Sequence, residues 1–82
     1  MGIKAFVLIV VDPAHTAEVF DQLQRLAGVS EVYQVMGPYD IVAVVEVGNL
    51  GDVPALIAGQ IRTIQGIEST TTCVTFPQSS DA

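Results

Sequence analysis

The chain has 82 residues, half of them apolar and only 15% charged, with a formal net charge of −6. Such a composition is too apolar for disorder, and nine acidic residues set against Lys4, Arg25 and Arg62 exclude a direct grip on nucleic-acid phosphates. A single cysteine, Cys73, cannot close an internal disulfide, which fits a reducing compartment, and the longest early apolar run is far too short for a membrane span.

That run opens the chain's first element. Residues Ile3 to Val11 are dense in β-branched and aromatic types and read as a first strand. Asp12 and Pro13 follow at once and no small-residue cleavage site appears, so the run is not a signal segment, and the protein is expected to be soluble and cytoplasmic. Asp12 can cap, and Pro13 can occupy the first turn of, a helix reaching about Leu26, with Val19, Phe20, Leu23, Leu26 and Ala27 on one stripe. Gly28 stops it. Val29 to Met36 reads as a second strand, Gly37-Pro38-Tyr39 as a turn and Asp40 to Val47 as a third strand. After a Gly48 to Gly51 loop, Asp52 is a plausible cap for a second amphipathic helix carrying Val53, Leu56, Ile57, Ile61 and Ile64. Gly66 ends that helix, and Ile67 to Phe76 form the last strand. Residues 1–77 read as one domain and 78–82 as a polar tail.

The two halves repeat each other without a gap at an offset of 38 residues: Ala5 matches Ala43, Val19 matches Ile57, Leu23 matches Ile61 and Gly28 matches Gly66. Two strand-helix-strand units of equal spacing, each with a right-handed crossover, give a ferredoxin-like βαββαβ fold of the α+β class. It has a four-stranded antiparallel sheet with both helices on one face.

A sheet roofed by helices on one face normally alternates apolar and polar residues along its strands. Here Ala5, Val7, Ile9 and Val11 point one way while Phe6, Leu8 and Val10 point the other, and Val42 and Val44 repeat the pattern in the third strand. Cover for that second face is worth several kcal/mol, at roughly 1.5–3 kcal/mol per large side chain buried. The expectation is a dimer built sheet against sheet, in the manner of a dimeric α/β barrel, with higher assembly possible.

Residues suited to catalysis are few. His15 reads as an exposed first-turn residue and Cys73 as a buried structural thiol, and no metal-ligand spacing, phosphate-cradling loop or nucleophile elbow is present. No cofactor or metal is expected, nor enzymatic activity. Two segments are richer. In Gly37-Pro38-Tyr39-Asp40, Gly37 permits close backbone approach and Asp40 can complete a turn. In Ser69-Thr70-Thr71-Thr72, Thr70 and Thr72 share one face of the last strand and Ser69, Thr71 and Cys73 the other.

These residues together resemble a known family. Leu26-Ala27-Gly28-Val29, Val35-Met36-Gly37-Pro38-Tyr39-Asp40-Ile41, Ile61-Arg62-Thr63-Ile64-Gln65-Gly66-Ile67 and Ser69-Thr70-Thr71-Thr72 occur in the order and spacing of the effector-binding domain of Lrp/AsnC transcriptional regulators, also called the RAM domain. The resemblance runs from Ile3 to Phe76. It implies dimers assembling into octamers or similar rings, with amino-acid effectors bound between dimers. It also implies that Gly37, Tyr39 and Asp40, with Thr70 and Thr72, lie around the effector. Two features depart from the family pattern: the helix-turn-helix domain is absent from this sequence, and Ala14 stands where a Gly often follows the first-strand Pro.

On this reading the chain is a stand-alone regulatory module that binds an amino acid and can co-assemble with full-length Lrp/AsnC regulators. Asp40 would meet the ligand's ammonium; backbone N–H groups near Gly37 and the hydroxyls of Thr70 and Thr72, from one subunit or two, would meet its carboxylate. Two other classes share the fold. An ACT-type amino-acid module would bind at the first strand-to-helix loop, here Asp12-Pro13-Ala14-His15 and without glycine. A cofactor-free dimeric α/β-barrel enzyme would need titratable side chains inside the barrel.

Overall fold

A computed structural model describes residues 2–75. Its elements are β1 (Ile3–Val11), a 3-10 turn (Pro13–His15) entering α1 (Thr16–Gln24), β2 (Val29–Gln34), β3 (Ile41–Val47), α2 (Asp52–Leu56) continuing into a π turn (Ile57–Ile61), and β4 (Ile67–Val74). The four strands form one antiparallel sheet in the order β2-β3-β1-β4. This is the expected ferredoxin-like arrangement, with the two most apolar strands at its centre.

The core lies between the sheet and the helices. Ala5, Val7, Ile9 and Val11 of β1 and Ile41, Ala43 and Val45 of β3 pack with Val19 and Leu23 of α1 and with Val53, Leu56, Ile57 and Ile61. The internal repeat is visible in three dimensions. Leu23 and Ile61 are both fully buried, and Gly28 and Gly66 both take positive φ, 92° and 105°. At Gly66 the absent side chain also matters, because a Cβ there would lie 2.5 Å from that of His15.

Local chemistry explains where the elements begin and end. Asp12 caps as expected, its Oδ1 accepting the Ala14 N–H at 3.0 Å, and Pro13 occupies the first position of the 3-10 turn. Ala14 needs no glycine, since no residue other than Gly takes positive φ among the described residues. Asp52 is not a cap: Gly51 holds that position and Asp52 is the first helical residue, where its charge favours the helix dipole. Pro54 is tolerated because it falls within the first turn, where its missing N–H has no partner to lose. The second strand ends at Gln34 rather than Met36, although Val35 N–H still donates to Asp40 O at 2.9 Å. Phe76 and the tail 78–82 lie outside the described residues. No helix among those described is long and apolar enough to cross a membrane.

The sheet's other face is the one the sequence singled out. Paired residues on neighbouring strands point to the same side. The pairs Phe6–Val44 and Leu8–Val42 link β1 to β3, while Phe6–Cys73, Leu8–Thr71 and Val10–Ser69 link β1 to β4. Tyr33, opposite Val42, and Glu31, opposite Val44, extend this face onto β2. The result is an apolar stripe (Phe6, Leu8, Val10, Val42, Val44) that no described helix covers. Phe6 is 37% and Tyr33 52% exposed, while Leu8, Val10 and Val42 are half-buried and Val44 is shielded among its neighbours. Cys73 belongs to this face and is exposed, contrary to the buried thiol expected. Its residue type suggested burial, but its register places it beside Phe6 on the unroofed side.

Candidate functional site

The turn between β2 and β3 is built around Asp40. Its backbone N–H donates to Ile9 O at 2.9 Å, and its carboxylate Oδ2 accepts the Val11 N–H at 2.9 Å. The side chain thus takes over the ladder where β3 has run out, tying the turn to the end of β1. One carboxylate oxygen is therefore committed to backbone, leaving Oδ1 for other partners. Gly37 takes φ 131°, a conformation that L side chains rarely adopt, yet an added Cβ would meet nothing within 4 Å. The glycine is needed for the backbone path, and the space above it is open. Tyr39 is half-buried, whereas Met36 at the tip of the turn is 99% exposed.

Thr70 and Thr72 share one face, as their alternation predicted, and it is the helix side: Thr70 pairs with Ile9 and Thr72 with Val7. Thr70 shares with Asp40 the Ile9–Val11 end of the sheet, but the two stand on opposite sides of β1, about 10 Å apart by two inter-strand spacings. Thr72 is farther still. From Val11, held by Asp40, to Val7, paired with Thr72, the strand runs four residues, about 13 Å. One chain therefore does not bring Asp40 and Thr72 close enough to hold the two charged ends of one amino acid.

Thr72 lines something else. Between the edge of β4 and the second helical segment lies an open groove of about 420 Å³, walled by Leu50, Val53, Pro54, Ile57, Ala58, Arg62, Thr72 and Val74. The π turn shapes it: Arg62 N–H donates to Ile57 O at 2.8 Å, a bond spanning five residues rather than four. Such turns concentrate at functional sites. Arg62 lies in the Ile61–Ile67 run that resembles the family, but outside the two segments that the sequence marks as binding candidates. The signal was available, since Pro54, Ala58 and Arg62 recur every fourth residue beside the buried Val53–Ile57–Ile61 stripe.

His15 is not the free surface residue expected. It is half-buried, packed against Gly66, and its Nδ1 is inaccessible to solvent and 3.4 Å from Asp12 Oδ2 without hydrogen-bond geometry. On the open sheet face, the Tyr33 hydroxyl donates to the Glu31 carboxylate. That bond, and then the negative charge itself, raise the phenol above its ordinary pKa of 10.0.

The described residues thus combine a ferredoxin-like sheet with one apolar face unroofed, a carboxylate-pinned turn and an open groove. Comparison with known proteins gives the family. Residues 4–81 match the model of the Lrp/AsnC ligand-binding domain, and the chain belongs to that family. An uncharacterized HTH-type transcriptional regulator of Pyrococcus horikoshii is 34% identical over 79 residues, 93% of this chain and 53% of that protein. The chain thus spans about half the length of the curated relatives it matches. Among solved structures, a protein from Thermus thermophilus superposes with a TM-score of 0.89 at 32% identity, covering 94% of this chain and 96% of the other. E. coli AsnC superposes at 0.85 with 25% identity, covering 93% of this chain and 52% of its own.

Proposed function

We propose that the chain is an amino-acid-sensing, oligomerising module that acts in the cytoplasm by regulation rather than catalysis, with regulators of its own family that share its sheet face as partners. The observation that supports this reading is the division of the recognition elements. Asp40 and Gly37 stand at one end of the sheet and Thr72 some 13 Å along it, so a single amino acid can meet both only when copies are combined. The apolar stripe supplies the reason to combine. Two copies pairing sheet to sheet would cover Phe6, Leu8 and Val10 of each, and further association of such dimers, into octamers or similar rings, would set the turn of one beside the last strand of another. In that setting Asp40 Oδ1 receives the ligand's ammonium, while N–H groups near Gly37 and the hydroxyls of Thr70 and Thr72 receive its carboxylate, with Tyr39 beside them.

A thermal-shift screen of the twenty amino acids tests the reading, because a ligand that binds only the folded state raises its apparent stability. One or a few amino acids are expected to raise the melting temperature. Asp40→Asn keeps an acceptor for the Val11 N–H but removes the charge, and is expected to weaken that ligand about 10- to 150-fold, the worth of a charge-assisted hydrogen bond. A screen in which none of the twenty raises the melting temperature, or an Asn variant that binds as tightly as the parent, overturns the assignment.

A further inference from the structure

The groove between β4 and the second helical segment is separate from the turn at Asp40, and its chemistry is different. Six of its eight lining residues are apolar: Leu50, Val53, Pro54, Ile57, Ala58 and Val74. Its two polar lining residues are Arg62 and Thr72. In a chain of net charge −6 with three cations, Arg25 is paired with Asp21 at 3.0 Å and Lys4 stands across from Glu46. Arg62, like Lys4, makes no ion pair among the described residues, but Arg62 alone of the three lines the groove. A cation left unpaired in an acidic protein, at the rim of an apolar cavity, is complementary to an anion with an apolar body. The volume, about 420 Å³, falls within the range of small-molecule pockets.

The donor set narrows the class further. An arginine fork and a neighbouring hydroxyl suit a carboxylate, whose two oxygens accept in the plane of the guanidinium. No carboxylate side chain is among the described residues lining the groove, so nothing there compensates an α-ammonium group, whose desolvation against Val53 and Ile57 would cost binding. We propose that this groove is a second ligand site, distinct from the Asp40 turn and sharing only Thr72 with the amino-acid reading above, which takes an aliphatic monocarboxylate lacking an ammonium group. Arg62 and Thr72 hold the carboxylate, and the tail lies along Val53, Pro54, Ile57 and Ala58. The π turn is part of the site, since its five-residue hydrogen bond from Arg62 to Ile57 sets the guanidinium-bearing residue and the apolar wall on one side of the helical segment.

The test is calorimetric titration of the full chain with four probes of nearly the same shape: isocaproate, α-ketoisocaproate, leucine and isohexanol. Isocaproate, α-ketoisocaproate or both are expected to bind saturably, and which of them binds more tightly tells a fatty acid from an oxo acid. Leucine and isohexanol are expected to bind this groove at least about tenfold more weakly, the one for its uncompensated ammonium and the other for its missing charge. Arg62→Gln should weaken the better carboxylate by about tenfold or more, as should Ala58→Phe, which fills the cavity, whereas Arg25→Gln should leave it unchanged. Both substituted positions in the groove are exposed, so the fold is retained. The proposal is overturned if neither carboxylate binds, if isohexanol binds as well as isocaproate, or if Arg62→Gln titrates like the parent.

Discussion

Replacing Leu8 with lysine probes the unroofed sheet face most directly. Leu8 sits mid-stripe, between Val42 on β3 and Thr71 on β4, and takes no part in the helix-side core. Full burial of such a side chain is worth about 1.5–3 kcal/mol, and Leu8 is already mostly buried within its own chain, which leaves about 0.5–1 kcal/mol to be gained by cover. In a two-fold interface every substitution counts twice, so Leu8→Lys removes about 1–2 kcal/mol of association, or about 5- to 30-fold in Kd, before the repulsion of two facing ammonium groups is added. Sedimentation velocity over a concentration series measures the loss. Far-ultraviolet circular dichroism should be unchanged, and Glu18→Lys, on the exposed side of α1, should associate as the parent does. A parent chain that sediments as a monomer throughout the micromolar range, or a Leu8→Lys variant indistinguishable from it, refutes the reasoning.

Two further outcomes follow from particular contacts. Gly66→Ala and Gly37→Ala both force an L residue into positive φ, at a cost of about 1–3 kcal/mol each, but only the Gly66 variant also drives a Cβ to 2.5 Å from His15. The overpacking adds about 1–3 kcal/mol, so urea midpoints at equal protomer concentration should fall further for Gly66→Ala; equal midpoints would show that the contact relaxes freely. For Tyr33, the folded-state pKa is raised, so the stabilisation from its bond to Glu31 is present below pH 10 and is lost as pH rises through the folded value. Glu31→Gln should bring the phenol's ultraviolet titration down toward 10.0, and an unmoved titration would remove Glu31 as the cause.

The sequence conveyed whatever is written in local periodicity. Alternation within Ile3 to Val11 showed both faces of the first strand to be apolar, and the 38-residue offset placed Gly28 and Gly66 in equivalent backbone positions. What it hid depends on contacts between distant segments. The Asp40 side chain reaches Val11, 29 residues earlier, and no local pattern marks that carboxylate as a strand's missing acceptor. Arg62, just past the π turn, and Thr72, in β4, line one groove only because the edge strand lies beside the second helical segment. Cys73 and His15 were misjudged for a related reason: residue type sets an average burial, while register and a neighbouring glycine set the actual one.

The bond from Val11 to Asp40 has a spectroscopic consequence. Most amides of the central strands are held by other strands and exchange with solvent only when the sheet itself opens, whereas the Val11 amide is held by a side chain on a turn. Its deuterium uptake should therefore track motions of that turn alone, making one backbone position a gauge of whatever pulls on the Asp40 carboxylate.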